Sequence, residues 1–313
     1  MPASPASGGG LEFSVVVVSC NMRREIPRTL YSLGVPYQRN VRREEYEVIL
    51  VDNGSERPWT HKDLSGIDIP LRIINLAGDA KPSPAKAINL GLAEARGGLV
   101  GVMIDGSRMV TPGLLDACRC AARLHPRSIV STVGFHFGHE LQYLAVGKGY
   151  TQQVEDRLLD SIGWPKDGYR LFEIAVFAAS ATAGWFQPIS ESNALFMSSK
   201  LWAELGGYNE TFESAGGGLV NLDTYARAVA LPKIRLVTVL GEGTFHQVHG
   251  ALATNSAVDR QSEWHAEYRR IRGHDYRKPM VQPILFGCVP APALPHLESS
   301  VRSLRQALDL PTS

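Results

Sequence analysis

Four apolar runs near the N-terminus, each followed by a polar residue, constrain the fold most strongly. Their Val, Ile and Leu residues form continuous stretches, which is typical of strands covered on both faces. Helical patterns lie between them, and repeated strand–helix units predict a parallel sheet with helices on both sides. The runs are FSVVVVS, YEVILVD, LRIINL and LVGVMI.

Local signals predict three helices among these strands. Ile26, Leu30 and Leu33 recur at helical spacing after the first run and give one apolar helix face. Two prolines precede the second helical segment, AKAINLGLAEAR. Thr111 and Pro112 are typical of the N-cap and the first-turn proline of a third helix. Further along the chain, ALFMSS and IRLVTVL predict strands, and QQVEDRLLDSIG predicts a helix.

A polar residue stands at or just past the end of each of the four predicted strands. These residues are Asn21, Asp52, Asn75 and Asp105. In open parallel sheets, ligands bind outside the carboxyl ends of the strands. We therefore expect the four side chains to line one crevice. Asp105 leads into Gly-Ser, so ordinary turn chemistry is the alternative explanation for that aspartate.

The composition of the 313-residue chain excludes several classes of protein. The 32 Lys and Arg residues balance 31 Asp and Glu residues, so no general basic field indicates a nucleic-acid partner. The four cysteines follow no zinc or disulfide spacing, and the first residues lack the features of a signal peptide. The longest weakly apolar stretch, residues 174–186, is too short to span a bilayer. These features predict a cytoplasmic protein.

Between about residues 12 and 250, the chain resembles the inverting family-two glycosyltransferases with the GT-A fold. Four motifs carry the resemblance in the same order: FSVVVVSCNMRREIPRTLYSL, YEVILVDNGS, PAKAINLGLAEARGGLVGVMIDGS and LGGYNETFES...GGGLVNLDTYARA. A nicotinamide-binding Rossmann domain would need a glycine-rich turn after the first strand, and SCNMRREIP has no glycine. The resemblance implies an α/β fold with a Rossmann-like, mostly parallel twisted sheet flanked by helices, and a smaller mixed part on the acceptor side.

The resemblance also implies an activity and a division of the chain. It implies a hexosyltransferase that moves a sugar from a nucleoside-diphosphate sugar to a saccharide or lipid-linked acceptor, with inversion. A nucleotide-sugar-binding half at 12–135 and an acceptor and catalytic half at 136–277 would share one domain, between a flexible tail at 1–11 and a C-terminal extension at 278–313. Peripheral membrane association and the oligomeric state are left open. A sugar-nucleotide-binding protein that has lost catalysis and a nucleotidyltransferase remain as alternatives.

The resemblance places the donor and a metal ion at the strand ends. Asp105, Gly106 and Ser107 occupy the position of the family's acidic metal motif, with Ser107 in place of a second aspartate. Mn²⁺ or Mg²⁺ held there would neutralise charge on the leaving diphosphate. His246, and secondarily His249, would complete the ligand set, unless these histidines bind a phosphate or a loop carbonyl instead. The donor-binding residues implied are Ser19, Asn21, Asp52, Asn75, Lys86, Asn89, Asp105, Gly106 and Ser107.

The catalytic base is where the chain departs from the family pattern. When Asp223 and Arg227 are aligned with the family motif, Asn221 stands where the family has its catalytic aspartate. An amide cannot accept a full proton at neutral pH. Asp223 is then the candidate base, with Glu191 and Glu213 as alternatives. An ion pair with Arg227, one helical turn away, is the structural alternative for Asp223.

The acceptor side is predicted from the segment GWFQPISESN. Trp185 could stack on a sugar ring, although a tryptophan is more often a core residue. Glu191 and Ser192 follow it and could contact acceptor hydroxyls. His136 and His139 are assigned to the surface or the acceptor pocket, because the sequence supplies no third ligand for a metal there.

Overall fold

The computed structural model describes residues 10–249 and 260–310. The predicted tail at 1–11 therefore lies outside the described residues, apart from residues 10 and 11. The strands of the described part are β1 (Phe13–Ser19), β2 (Tyr46–Asp52), β3 (Leu71–Asn75), β4 (Leu99–Met103), β5 (Arg108–Val110), β6 (Ser128–Phe137), β7 (Ala175–Phe177), β8 (Leu195–Ser198), β9 (Arg235–His246) and β10 (Ile284–Gly287). They form one ten-stranded sheet in the order β10-β9-β6-β8-β4-β1-β2-β3, with β5 paired to β9 and β7 paired to β6.

Helices cover both faces of this sheet. The α-helices of the described residues are α1 (Glu25–Leu33), α2 (Ala85–Glu94), α3 (Leu114–Ala122), α4 (Gln142–Gly147), α5 (Gln152–Ile162), α6 (Ser199–Leu205), α7 (Val220–Val229), α8 (Gln261–Arg272) and α9 (Leu294–Ala307). The predicted α/β class with a mostly parallel sheet is confirmed. No helix among these is long and apolar enough to cross a membrane.

Strand β1 shows why its valine run is uninterrupted. Val16 belongs to a core cluster that also contains Ile88 of α2. Val15 faces the other way, into a cluster that contains Leu30 of α1 and Leu114 of α3. Because successive residues of a strand point to opposite faces, both sets of side chains must be apolar when both faces are covered.

Strands β1, β2, β3 and β4 pair in parallel, as predicted. The connection from β2 to β3 contains a short 3-10 turn, His61–Leu64. One local prediction is wrong. The third helix begins at Leu114 rather than at Pro112, because the residues after Asp105 first form β5, and the Thr111 hydroxyl accepts the backbone N–H of Gly243.

The second half of the chain continues the same sheet. Strand β8 runs antiparallel between β4 and β6, and β6 and β9 are parallel to each other. The carboxyl ends of β1, β2, β3, β4, β6 and β9 therefore lie along one edge of the sheet, which we call the carboxyl edge. The predicted strand IRLVTVL is only the start of β9, which continues to His246. The C-terminal stretch adds β10 beside β9 before α9.

Candidate functional site

Polar residues at the ends of β1, β2 and β3 stand in one row at the carboxyl edge. Ser19 pairs with Asp52, and Asp52 pairs with Asn75. Asp105 lies two residues beyond Met103, the last residue of β4. The parallel register therefore brings together strand-end residues that are widely separated in the sequence, as the sequence predicts.

Two of these residues also shape the loops along the edge. The carboxylate of Asp52 accepts the backbone N–H groups of Ser55 and Trp59, at 2.9 and 3.2 Å. Asn21 has a φ of 53°, and its N–H donates to the hydroxyl of Ser55 at 2.8 Å. Its side-chain oxygen accepts the N–H of Glu56 at 2.9 Å. Asp52 and Asn21 thus hold the β1 and β2 loops side by side.

Asp105 lies against two histidines, one at the end of β9 and one just after it. Its Oδ2 atom is 2.8 Å from Nε2 of His246, and its Oδ1 atom is 3.7 Å from Nε2 of His249. One ligand atom from each residue lies within 4.8 Å of the others. The His246 side chain is buried, whereas 21% of the Asp105 side chain is exposed. A carboxylate and two imidazoles thus converge at the carboxyl edge.

His246 contacts a polar side chain through each ring nitrogen. The side-chain amide of Gln142 contacts Nδ1 of His246, and Nε2 faces the carboxylate of Asp105. Burial lowers the pKa of His246 to about 4 despite the nearby carboxylate. Burial also raises the pKa of Asp105, but the two imidazoles outweigh it and hold that pKa well below its usual range. A neutral imidazole and an ionised carboxylate this close together attract a cation.

The geometry of this group fits a divalent metal ion. Neighbouring ligands of an octahedral ion with bonds of about 2.1 Å stand about 3 Å apart, and Asp105 and His246 have their nearest atoms 2.8 Å apart. Nε2 of His249 is buried and has no hydrogen-bond partner in the part of the chain that the structure describes. Because Mg²⁺ prefers oxygen ligands, two imidazoles beside one carboxylate suit Mn²⁺ better.

The segment that carries His249 is anchored on both sides. The N–H of Gln247 donates to the carbonyl oxygen of Ser107 at 2.9 Å. The N–H of Val248 donates to the buried carboxylate of Glu155 in α5 at 2.8 Å. His249 is therefore positioned by a helix that lies elsewhere in the sequence.

Gly106 and Ser107, which the resemblance assigns to the donor site, support Asp105 from within the fold. Ser107 is fully buried, and its N–H and hydroxyl both donate to Oδ1 of Asp105, at 3.0 and 2.7 Å. A Cβ atom on Gly106 would stand 2.6 Å from the carbonyl oxygen of Val18 and from the side chain of Ile26. Glycine is required there for packing, and serine orients the carboxylate.

Arg108 is a buried cation beside this group. It pairs with His246 across β5 and β9, so both side chains project from the same face of the sheet. Arg108 is 6% exposed, and its Nε and Nη1 atoms have no hydrogen-bond acceptor among residues 10–249 and 260–310. Burying a guanidinium without partners is unfavourable. The arrangement therefore suits an anion that binds from the crevice.

Polar contacts link Arg108 to the start of α7. The side chains of Arg108 and Asn193 both lie close to Gly134 of β6. A Cβ atom placed on this glycine would be 3.7 Å from Nη1 of Arg108 and 3.5 Å from Nδ2 of Asn193. Nδ2 of Asn221 lies 3.4 Å from Oδ1 of Asn193 and donates to the carboxylate of Glu191 at 2.7 Å. Glu191, Asn221 and Arg108 therefore belong to one continuous region.

Asp223, the candidate base of the sequence analysis, is buried and paired with two arginines. Arg227 donates to its carboxylate at 2.9 Å, which confirms the ion pair considered from the sequence. Arg272 of α8 adds two hydrogen bonds of 2.6 Å. The Asp223 side chain is 1% exposed. Two guanidinium groups thus cover this carboxylate, and Asp223 joins α7 to α8.

Two residues predicted to contact the acceptor are buried in the structure. Trp185 is 1% exposed and packs edge-on against Phe177 in an aromatic cluster, so its ring is closed to a sugar. Ser192 is 1% exposed, and its hydroxyl accepts the N–H of Thr132 at 2.9 Å. Of the three predicted acceptor residues, Glu191 is the one that is partly exposed.

Among the remaining predicted donor-binding residues, one is hydrogen-bonded to the loop before α7 and two are accessible to solvent. The amide of Asn89 is used by Tyr208, to whose backbone it donates at 2.9 Å and from which it accepts at 2.8 Å. Asn89 therefore fixes the loop before α7 and does not face a ligand. Lys86, in the first turn of α2, is partly exposed; its ammonium group donates to the backbone carbonyl of Asp79 at 3.4 Å and lies 3.8 Å from that residue's carboxylate. Asn75 is exposed at the carboxyl edge.

The N-terminal part of this sheet matches a known family. Residues 14–130 match the sequence profile of the family described as Glycosyl transferase family 2. Comparison with curated proteins gives no match.

Comparison with solved structures finds proteins of similar fold. The S. aureus TarS fragment 1–349 has 14% sequence identity and a TM-score of 0.51, covering 95% of this chain and 81% of that one. Its complex with UDP-GlcNAc also has 14% identity and a TM-score of 0.51, covering 96% and 73%. Full-length TarS has 14% identity and a TM-score of 0.49, with 83% of this chain covered. This chain spans 42% of full-length TarS, and these similarities concern the fold.

Sequence reasoning missed two residues of the candidate site: Arg108 and Gln142. Arg108 stands between Ser107 and an apolar pair, and a charged residue inside a short apolar strand is a signal that could have been used. His136, which the sequence analysis assigned to the surface or the acceptor pocket, is buried in β6, and burial lowers its pKa to about 2. Its Nδ1 accepts the N–H of Gln142 at 3.1 Å, a contact with no local sequence signal.

Proposed function

We propose that this protein is a family 2 glycosyltransferase, which moves a sugar from a nucleoside-diphosphate sugar to an acceptor hydroxyl, with inversion and with the help of a divalent metal ion. The observation that carries the proposal is that Asp105, His246 and His249 converge beside the unpaired guanidinium of Arg108. A diphosphate carries the charge that a metal site and a nearby cation would neutralise. UDP-GlcNAc, the ligand in one TarS complex, belongs to this chemical class.

The strand ends supply the rest of the proposed donor site. Ser19, Asn21, Asp52 and Asn75 would contact the nucleoside, because they stand in the row beside Asp105. Lys86 would approach the diphosphate from the first turn of α2, where the N-terminal end of the helix also favours an anion. A bound Mn²⁺ or Mg²⁺ would supply charge neutralisation on the leaving diphosphate.

One experiment tests this function against its main alternative. Thermal shift with uridine and guanosine diphosphates, with and without Mn²⁺, measures binding, and a panel of nucleotide sugars measures diphosphate release. We expect Mn²⁺-dependent stabilisation by at least one nucleotide and release of that diphosphate from its sugar donor. Binding without release from any donor would favour the sugar-nucleotide-binding protein suggested by Asn221. Absence of binding would contradict both functions.

Substitution of Arg108 tests the anion site. In Arg108→Met, we expect nucleoside-diphosphate affinity to fall about 10- to 100-fold, because hydrogen bonds to a charged group contribute about 1.5–3 kcal/mol. We expect the melting temperature without ligand to stay the same or rise, because an unpaired buried charge is removed. Calorimetric titration and thermal unfolding measure the two effects. Arg302→Met, at an exposed position of α9, is the control. Unchanged affinity in Arg108→Met would remove Arg108 from the site.

The proposed metal site also predicts a pH dependence. Burial lowers the pKa of His249, but the Asp105 carboxylate outweighs this and raises that pKa above its ordinary value. A protonated imidazole cannot bind a metal ion. The Mn²⁺-dependent affinity for a nucleoside diphosphate should therefore fall as the pH drops from 8 to 6, approaching about tenfold per pH unit below that pKa. Titration calorimetry at three pH values measures it. A pH slope that is the same in His249→Gln would contradict the assignment.

A further inference from the structure

We propose that Glu191 is the general base of this site, taking the place of the carboxylate that the family pattern puts at position 221. This inference rests on the proposed function, because it concerns the proton of the attacking acceptor. The structure brings Glu191 from a loop that is distant in sequence to the amide of Asn221.

The sheet places Glu191 at the carboxyl edge. Strand β8 runs antiparallel to β4, with Leu195 opposite Val102. The residues just before Leu195 therefore lie beside the end of β4, where Asp105 leaves the sheet. The Arg108 guanidinium interacts electrostatically with both Asp105 and Glu191, which places it near both carboxylates.

Asn221 orients the carboxylate of Glu191. The hydroxyl of Tyr208 donates to the amide oxygen of Asn221 at 3.1 Å, which leaves the amide N–H groups to face Glu191. One of them donates to Oε2 of Glu191 at 2.7 Å. Within residues 10–249 and 260–310, no hydrogen bond or ion pair reaches the second oxygen, Oε1. Asparagine is thus a positioning residue, and Oε1 is free to accept a proton.

Three other carboxylates of this region are already engaged. Asp52 accepts two backbone N–H groups, and Asp105 faces two imidazoles. Asp223 is neutralised by Arg227 and Arg272. Glu191 differs from all three, because it is partly exposed and makes no ion pair within the described part of the chain.

The proposed step balances as an in-line displacement. The acceptor oxygen forms a bond to the anomeric carbon while its proton moves to Oε1 of Glu191. The bond between the anomeric carbon and the diphosphate oxygen breaks on the opposite face, and the nucleoside diphosphate leaves with the electron pair. The product is the inverted glycoside, and the protonated Glu191 returns its proton to solvent.

The variant Glu191→Gln tests the assignment, because glutamine keeps an oxygen for Asn221 but cannot accept the proton. We expect diphosphate release to water or to an acceptor to fall about 10²- to 10⁴-fold, the usual contribution of a general base. Nucleotide affinity and melting temperature should stay as in the wild type. Glu298→Gln, at an exposed position of α9, is the matched control. Full activity in Glu191→Gln would overturn the assignment.

Azide separates a base from a merely structural residue, because this nucleophile has no proton to lose. Transfer to azide should be nearly equal in Glu191→Gln and the wild type, and Asn221→Asp added to Glu191→Gln should restore part of the transfer to hydroxyl acceptors. Equal loss with azide and with hydroxyls would overturn the assignment. A wild-type protein that releases no diphosphate from any donor would overturn the proposed function as well, whereas a Glu191→Gln variant as active as an active wild type would overturn only the role of Glu191.

Discussion

The variant Asp105→Ala is expected to lose the Mn²⁺-dependent part of nucleoside-diphosphate binding, with affinity lowered about 100-fold or more. Asp105 contributes the one carboxylate of the Asp105, His246 and His249 group, and metal affinity falls about 10- to 100-fold even when only a supporting residue is lost. Titration calorimetry with and without Mn²⁺ measures the change.

The control for this experiment is Asp160→Ala, which removes a carboxylate from an exposed position of α5. It should bind as the wild type does. Mn²⁺-dependent affinity that persists unchanged in Asp105→Ala would show that the ion, if required, is bound elsewhere. Loss of folding is not expected in Asp105→Ala, because 21% of this side chain is exposed and the neighbouring His246 is neutral.

The second large effect is expected in Asp223→Ala, as a loss of stability. The substitution removes the partner of two guanidinium groups that are about a quarter exposed. Removing one partner of a buried ion pair lowers the free energy of unfolding by about 3–5 kcal/mol. Because Arg227 and Arg272 are partly exposed, we expect a loss of about 3 kcal/mol. Urea unfolding measures it. A variant as stable as the wild type but inactive would instead support a catalytic role for Asp223.

The parallel part of the fold was predictable because its signal is local. The valine run of β1 must be apolar at every position to fill two cores, and this pattern is visible in one short window. The reversed strand β8 was predicted as a strand, but its place between β4 and β6 was not. Strand order in that region depends on long-range pairing, which leaves no periodic pattern in the sequence.

The candidate site was likewise predictable only where it depends on local sequence signals. The row at the strand ends follows from parallel register, so Asp52 and Asp105 could be predicted as neighbours. The state of Asp223 could not, because Arg272 lies 49 positions away on another helix. Whether a buried charge such as Arg108 has a partner is a property of the folded molecule. The burial of Trp185 could not be predicted either, because an aromatic residue in a polar segment can still belong to the core.

The contact between Val248 and Glu155 has a consequence for evolution of the site. His249 depends on a backbone hydrogen bond to a carboxylate 93 positions earlier, so natural selection for metal affinity would also act on α5. Homologues that keep a histidine at this position should retain an acceptor at position 155. Covariation of these two positions would therefore reveal a constraint that no contiguous motif contains.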